Sequence, residues 1–166
     1  GRVVHQDVTL IDDTIRDGSF FENKTIVAAI AHAKKNNSNL HLVGLLSDVG
    51  THSHIRHLYA LLQVASMQKF DRVYIHLFSD GRDSPPTHAV ELLAQVENQL
   101  KRIGVGKIVS ISGRYFGMDR DNRWDRVQRA FDTLLGRGEC TTDQSAAAVL
   151  QQYYAAPTAP NMAGDE

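Results

Sequence analysis

The chain has 166 residues, a formal net charge of -1 and 42% hydrophobic residues, which is enough apolar sequence for one modest core. The near-neutral charge argues against broad binding to a nucleic-acid backbone, because that activity needs a basic face. A lone cysteine, Cys140, excludes an internal disulfide, and no apolar run is long enough to span a bilayer. The composition therefore predicts a soluble cytoplasmic protein with neither a nucleic-acid nor a membrane partner.

The order of predicted elements indicates the fold class. A helix that Asn23 caps comes first and ends near the basic and polar residues 34–37. Three short β-rich runs follow, at 40–46, 72–78 and 107–112, with a helical pattern between each pair. Alternating strands and helices favour parallel strand pairing, because parallel neighbours need a long connection. The sequence predicts a layered α/β/α domain with a mainly parallel sheet, incomplete within this chain.

The helix between the second and third strands has the most clearly marked ends. Ser84 is predicted as its N-cap, Pro85 as its first helical residue and Gly104 as its stop. Two further helical patterns follow the third strand. Residues 157–166 are rich in Ala and Pro and polar, so they are predicted to form a tail without fixed structure.

The loops after the three predicted strands combine glycine with ionisable side chains, at 47–54, 79–86 and 113–123. The carboxyl ends of parallel strands meet at one edge of a sheet, so these loops should lie together. Arginine presents a planar fork of donors that matches carboxylate or phosphate oxygens. The arginines expected to converge there on one small anion are Arg82, Arg114 and Arg120.

The acids of these loops, Asp83, Asp119 and Asp121, have two open roles. They either pair with the arginines or accept hydrogen bonds from substrate hydroxyls.

The histidines of the first loop also leave two interpretations open. His52 and His54 are either hydrogen-bonded loop residues or ligands of a metal, which would make the chain a small metal-dependent hydrolase. The spacing matches no specific zinc pattern. The side chains that would form this metal site are Asp48, His52, His54 and His57.

Four stretches are specific enough to compare with known families. They are Gly-Leu-Leu-Ser-Asp at 44–48, Thr-His-Ser-His at 51–54, Asp-Gly-Arg-Asp-Ser-Pro-Pro at 80–86 and Ser-Gly-Arg-Tyr-Phe-Gly-Met-Asp-Arg-Asp-Asn-Arg-Trp at 112–124. These stretches resemble the cofactor-independent phosphoglycerate mutases. The segments 1–7 and 17–23 are similar to the same family, so the resemblance extends to about residue 135 and leaves only the tail outside it.

The resemblance implies an isomerase that interconverts 3-phosphoglycerate and 2-phosphoglycerate through a phosphoserine, in glycolysis and gluconeogenesis. In that family a phosphatase-like domain holds two divalent metals, usually manganese, together with the serine, while a second domain binds the glycerate. Residues 1–156 are similar to part of the second domain only. The resemblance therefore implies no metal in this chain, no activity of the chain alone, and a metal-binding domain elsewhere in the same polypeptide.

The positions that match the family's substrate-binding residues are His52, Arg82, Asp83, Arg114 and Arg120. The resemblance implies that the arginines clamp carboxylate and phosphate oxygens, while Asp83 and His52 contact the hydroxyls. Between these two, Asp83 is the better candidate for moving a proton.

One position departs from the family pattern. Where the family usually has two glycines after Ser-Asp, this chain has Val49 and Gly50. A β-branched residue resists a positive φ, so the path of this loop is left open.

A different class of function is also open, because a stand-alone receptor for a small phosphorylated metabolite would need no missing domain. An incomplete sheet would leave an unpaired edge, and such edges favour pairing with another chain. We therefore expect the chain to self-associate.

Overall fold

The computed structural model describes residues 1–2, 4–138, 142–157 and 163–166. None of the helices in these ranges has the length and apolarity that crossing a membrane requires. A short 3-10 helix at Ser19–Glu22 follows the first α-helix. The α-helices described are α1 (Asp7–Asp17), α2 (Lys24–Lys35), α3 (Ile55–Met67), α4 (Ala89–Ile103), α5 (Arg114–Gly117), α6 (Trp124–Leu134) and α7 (Ala146–Ala155).

The sheet consists of three parallel strands in the order β1 (Leu40–Leu46), β2 (Val73–Ser79) and β3 (Lys107–Gly113). Each strand lies within one residue of its predicted bounds. An α-helix connects β1 to β2 and another connects β2 to β3, as parallel pairing requires. The predicted α/β class with a parallel sheet is confirmed.

The helix α2 begins where its sequence predicts. The side-chain oxygen of Asn23 accepts hydrogen bonds from the N–H groups of Thr25 and Ile26, at 3.0 and 3.2 Å. These bonds satisfy two of the donors that a helix start leaves unpaired. The helix then buries Ile30 and Ala33 in the core.

One face of the sheet and the helices that cross it form the core. The buried strand residues Ile75 and Leu77 pack in one cluster with Leu62 of α3 and Leu93 and Val96 of α4. Each of these side chains is at most 4% exposed. Burial of this apolar surface holds the strands in place against α3 and α4. It therefore also positions the loops that follow the strands.

The predicted start of α4 is wrong, although the predicted stop at Gly104 is confirmed by its left-handed φ of 76°. The helix begins at Ala89 rather than Pro85. The hydroxyl of Ser84 does not cap it, because that oxygen accepts the N–H of Gly81 at 3.3 Å and closes the preceding turn. The N–H of Ala89 is instead satisfied by a carboxylate distant in sequence, that of Asp165, at 2.8 Å.

Part of the predicted tail is described. Residues 158–162 lie outside the described residues, whereas residues 163–166 lie against the end of the sheet. Asp165 is 2% exposed. For these four residues the structure departs from the predicted lack of fixed structure, because Asp165 has hydrogen-bond partners on three separate elements, β2, α4 and α7.

Candidate functional site

The carboxyl ends of the three strands bring the three predicted loops together. In the sheet register Leu46 of β1 is paired with Ser79 of β2, which is paired in turn with Gly113 of β3. The three loops therefore leave the sheet side by side at one edge, as the sequence predicts. This edge is the usual ligand-binding end of an open parallel sheet.

Asp80 organises the turn after β2. Its side-chain oxygen Oδ1 accepts the N–H groups of Arg82 and Asp83, at 3.2 and 3.0 Å, and the Nη1 of Arg114 at 2.5 Å. Asp80 is 1% exposed. Burial alone would raise the pKa of this carboxyl, but the hydrogen bonds from Asp83 and Arg114 outweigh it and hold the pKa below its usual value. The carboxylate therefore stays ionised and fixes the turn.

Asp83 links two of the other predicted site residues. Its Oδ2 accepts the Nη1 of Arg114 at 2.7 Å and lies 3.7 Å from the Nε2 of His52. Arg114 is buried, whereas the side chain of His52 is 49% exposed. The three side chains thus run from the buried end of the site to solvent, with the carboxylate between a guanidinium and an imidazole.

Arg82 lies in the same turn as Asp83 but is turned to a different partner. Its Nε donates to the Oε1 of Glu166 at 2.6 Å, and the arginine side chain is 46% exposed. Gly81, at a φ of 69°, makes the sharp bend that precedes it. Arg82 is therefore the accessible cation of the turn.

Arg120, in the third loop, is the one predicted site residue without a described contact to the other four. Arg120 is exposed, and among the described residues no hydrogen bond or ion pair joins it to His52, Arg82, Asp83 or Arg114. The loop folds back on α6 instead, because the buried carboxylate of Asp119 accepts the N–H of Arg123 and the Nη1 of Arg126, at 2.8 and 3.1 Å.

Three acids at the site were missed in the sequence. Asp80 had a usable signal, because an acid directly after a buried strand faces the ligand edge. Asp165 and Glu166 had none, because their partners, apart from Tyr154, lie 76 to 86 residues away. Burial raises the pKa of Asp165 to about 6. Hydrogen bonds from the N–H groups of Ala89 and His88 act in the opposite direction, but they do not cancel the effect of burial.

The side chains of the alternative metal site have other partners. Asp48 is paired with His88 at 3.2 Å, and His57 with Asp12 at 3.0 Å. Across the ranges that the structure describes, no three His, Cys, Asp or Glu residues are grouped as metal ligands. These contacts do not favour the metal-dependent hydrolase.

The substitution at Val49 is accommodated without strain. Gly50 has a φ of 85°, whereas Val49 is not among the residues with positive φ. Only the second position of the pair needs the freedom of glycine.

Comparison with known proteins identifies the family. The family model described as BPG-independent PGAM N-terminus matches residues 11–165. The chain belongs to this family. The match continues well past residue 135 and includes most of the predicted tail. The extent of the resemblance was therefore underestimated from the sequence.

Similar curated proteins are named 2,3-bisphosphoglycerate-independent phosphoglycerate mutase. Those of Clostridium beijerinckii and Clostridium tetani are 49% and 50% identical over 155 residues, 93% of this chain. A phosphoglycerate mutase of Leishmania mexicana, crystallised at low cobalt concentration, superposes with a TM-score of 0.83 at 29% identity and covers 97% of this chain. The chain spans about 30% of the length of each of these proteins.

Proposed function

We propose that the chain is the substrate-binding part of a 2,3-bisphosphoglycerate-independent phosphoglycerate mutase. The complete enzyme would interconvert 3-phosphoglycerate and 2-phosphoglycerate in glycolysis and gluconeogenesis in the cytoplasm, through a phosphoserine on a part outside this chain. The observation that carries the proposal is the linked set His52, Asp83 and Arg114 at the strand ends, with Arg82 accessible in the same turn. The family match and the names of the relatives support the same reaction.

The charges of the site suit a small molecule with several negative groups. Arg114 is already paired with Asp80 and Asp83, so it orders the site more than it adds positive charge. Arg82 and Arg120 are the more exposed cations and would bind carboxylate and phosphate oxygens. Phosphoryl transfer depends mainly on position and electrostatics, so holding the glycerate while it reorients is a direct contribution to rate.

Asp83 is the proposed proton-transfer residue. Its Oδ2 lies between Arg114 and His52, where a carboxylate could accept a proton from a glycerate hydroxyl. His52 is close enough to contact the same hydroxyl and to share the proton.

Two divalent metals, manganese in this proposal, would belong to the part of the polypeptide outside this chain. When bound, such ions stabilise the charge of a transferring phosphoryl group. The residues of this chain bind and orient the glycerate, and we expect no turnover from the chain alone.

The proposal is tested by the Arg82→Ala variant of the complete enzyme. Losing a charged hydrogen bond to substrate should lower kcat/KM by about ten- to a hundredfold. Arg16→Ala is the matched control, because Arg16 is an exposed arginine of α1 paired only with its neighbour Asp13 in the described contacts. Unchanged kcat/KM in Arg82→Ala would contradict the proposal.

Calorimetry with 3-phosphoglycerate distinguishes the proposal from a stand-alone metabolite receptor. The isolated chain should bind weakly, because the part that closes over the ligand is outside it. Tight binding by the isolated chain would favour the receptor instead.

A further inference from the structure

Residues 163–166 are anchored beside the turn 80–86 by one buried side chain. Asp165 donates its N–H to the carbonyl of Pro86 at 2.6 Å, and its Oδ2 accepts the N–H of Ala89 at 2.8 Å. The Ser79 hydroxyl donates to its carbonyl oxygen, and the Tyr154 hydroxyl donates to its Oδ1. The anchor thus joins β2, the start of α4 and α7.

Glycines allow the segment to approach the sheet so closely. A Cβ at Gly81 would lie 2.9 Å from the Cβ of Asp165, and a Cβ at Gly113 would overlap the backbone carbonyl of Glu166. Gly81, in the turn after β2, and Gly113, at the end of β3, thus provide the space that residues 165 and 166 occupy. The contact is therefore built into the shape of the site.

Glu166 uses the position that Asp165 fixes to hold Arg82. Its Oε1 accepts the Arg82 Nε at 2.6 Å, and within the described ranges this is the one side-chain hydrogen bond of that guanidinium. Pairing through Nε leaves Nη1 and Nη2 for another acceptor, since these nitrogens carry four of the five donors of arginine. An arginine side chain held in this way loses less conformational entropy when it binds an anion.

We propose that Asp165 and Glu166 are positioning residues for Arg82, with Asp165 anchoring the segment and Glu166 orienting the guanidinium toward the anionic group of the substrate. This inference rests on the proposed function. The inference predicts the direction in which Glu166 changes substrate affinity. A carboxylate that merely competed with substrate for Arg82 would weaken substrate binding, whereas an orienting carboxylate strengthens it.

The test is the Glu166→Gln variant of the complete enzyme, with Glu22→Gln, at an exposed position of the 3-10 helix, as the matched control. The KM for 3-phosphoglycerate should rise about three- to tenfold in Glu166→Gln with little change in kcat, because the loss falls on binding. In an Arg82→Ala background the same substitution should have no further effect, since the two residues act as one unit. Asp165→Ala should raise KM in the same direction.

The outcomes separate this inference from the proposed function. An unchanged or lower KM in Glu166→Gln, or an effect that persists without the Arg82 side chain, overturns the positioning role. If Arg82→Ala itself leaves kcat/KM unchanged, the proposed function fails instead. Should Asp165→Ala not fold, the Glu166→Gln and Arg82→Ala pair decides the question alone.

Discussion

Asp80 and Arg114 form a buried ion pair beneath the candidate site. Their side chains are 1% and 7% exposed, and their closest atoms are 2.5 Å apart. Removing one member of such a pair leaves the other charge buried with too few partners, which costs far more than losing an exposed pair. The same carboxylate also accepts two backbone N–H groups of the turn that carries Arg82 and Asp83.

We predict that Asp80→Ala lowers the free energy of unfolding by about 3 to 5 kcal/mol, as measured by urea denaturation of the chain. Asp13→Ala is the control, because Asp13 pairs with Arg16 at the surface and its loss should cost under about 1 kcal/mol. Equal losses in the two variants would show that the buried pair does not hold the turn.

Single site residues differ in how far the sequence predicts them. Arg82, Asp83 and Arg114 lie within four residues of a strand end, so the parallel sheet brings them to one edge. Arg120 lies further along its loop, and the hydrogen bonds of Asp119 carry that loop toward α6. The local sequence does not predict the direction of this loop, because that direction depends on tertiary contacts with α6.

Among the elements, the strands were predictable and the ends of the helices less so. The strands are short, mainly apolar runs, a pattern that indicates strands, and the central strand β2 is mostly buried. The helix α1 at Asp7–Asp17 was not predicted, although Val8, Ile11 and Ile15 recur in it at helical spacing. The start of α4 was misplaced because its cap is supplied by Asp165, from another part of the chain.

The connection between α4 and β3 offers a prediction at the scale of elements. Gly104 and Gly106 both have positive φ, of 76° and 101°. A Cβ at Gly106 would lie 2.8 Å from Leu62 Cδ2 and 2.9 Å from Leu100 Cδ2, whereas nothing lies within 4 Å of a Cβ at Gly104. Backbone strain acts at both glycines, but overpacking acts only at the second.

Gly106→Ala should therefore lower the free energy of unfolding by about 2 to 4 kcal/mol, and Gly104→Ala by about 1 kcal/mol. Thermal and urea unfolding of the two variants would measure the difference. A loss at Gly104 as large as that at Gly106 would mean that the contacts of α3 and α4 around this turn do not resist the extra methyl group.

The sheet of the whole molecule has two unpaired edges within the described residues, one on β1 and one on β3. Val43 on β1 and Val109 on β3 are 56% and 43% exposed. An exposed apolar edge is a template for another strand. The relatives are about three times as long as this chain, given its 30% share of their length.

We predict that the isolated chain self-associates, with a sedimentation coefficient that increases with concentration. Val109→Lys should reduce the association, because a charge on an edge strand opposes strand pairing. Met67→Lys, at an exposed position on α3, should not. A chain that stays monomeric at every concentration would contradict the prediction.

The long sequence separation of the contacts made by residues 165 and 166 has a consequence for biosynthesis. The Ala89 to Asp165 and Arg82 to Glu166 contacts span 76 and 84 residues, whereas β1 and β2 pair across a single helical connection. The amino-terminal part of a chain leaves the ribosome first. The turn that carries Arg82 therefore emerges well before Asp165 and Glu166, which hold it in place. The nascent domain can acquire its sheet early, but its ligand-binding end matures only after residue 166 has left the exit tunnel.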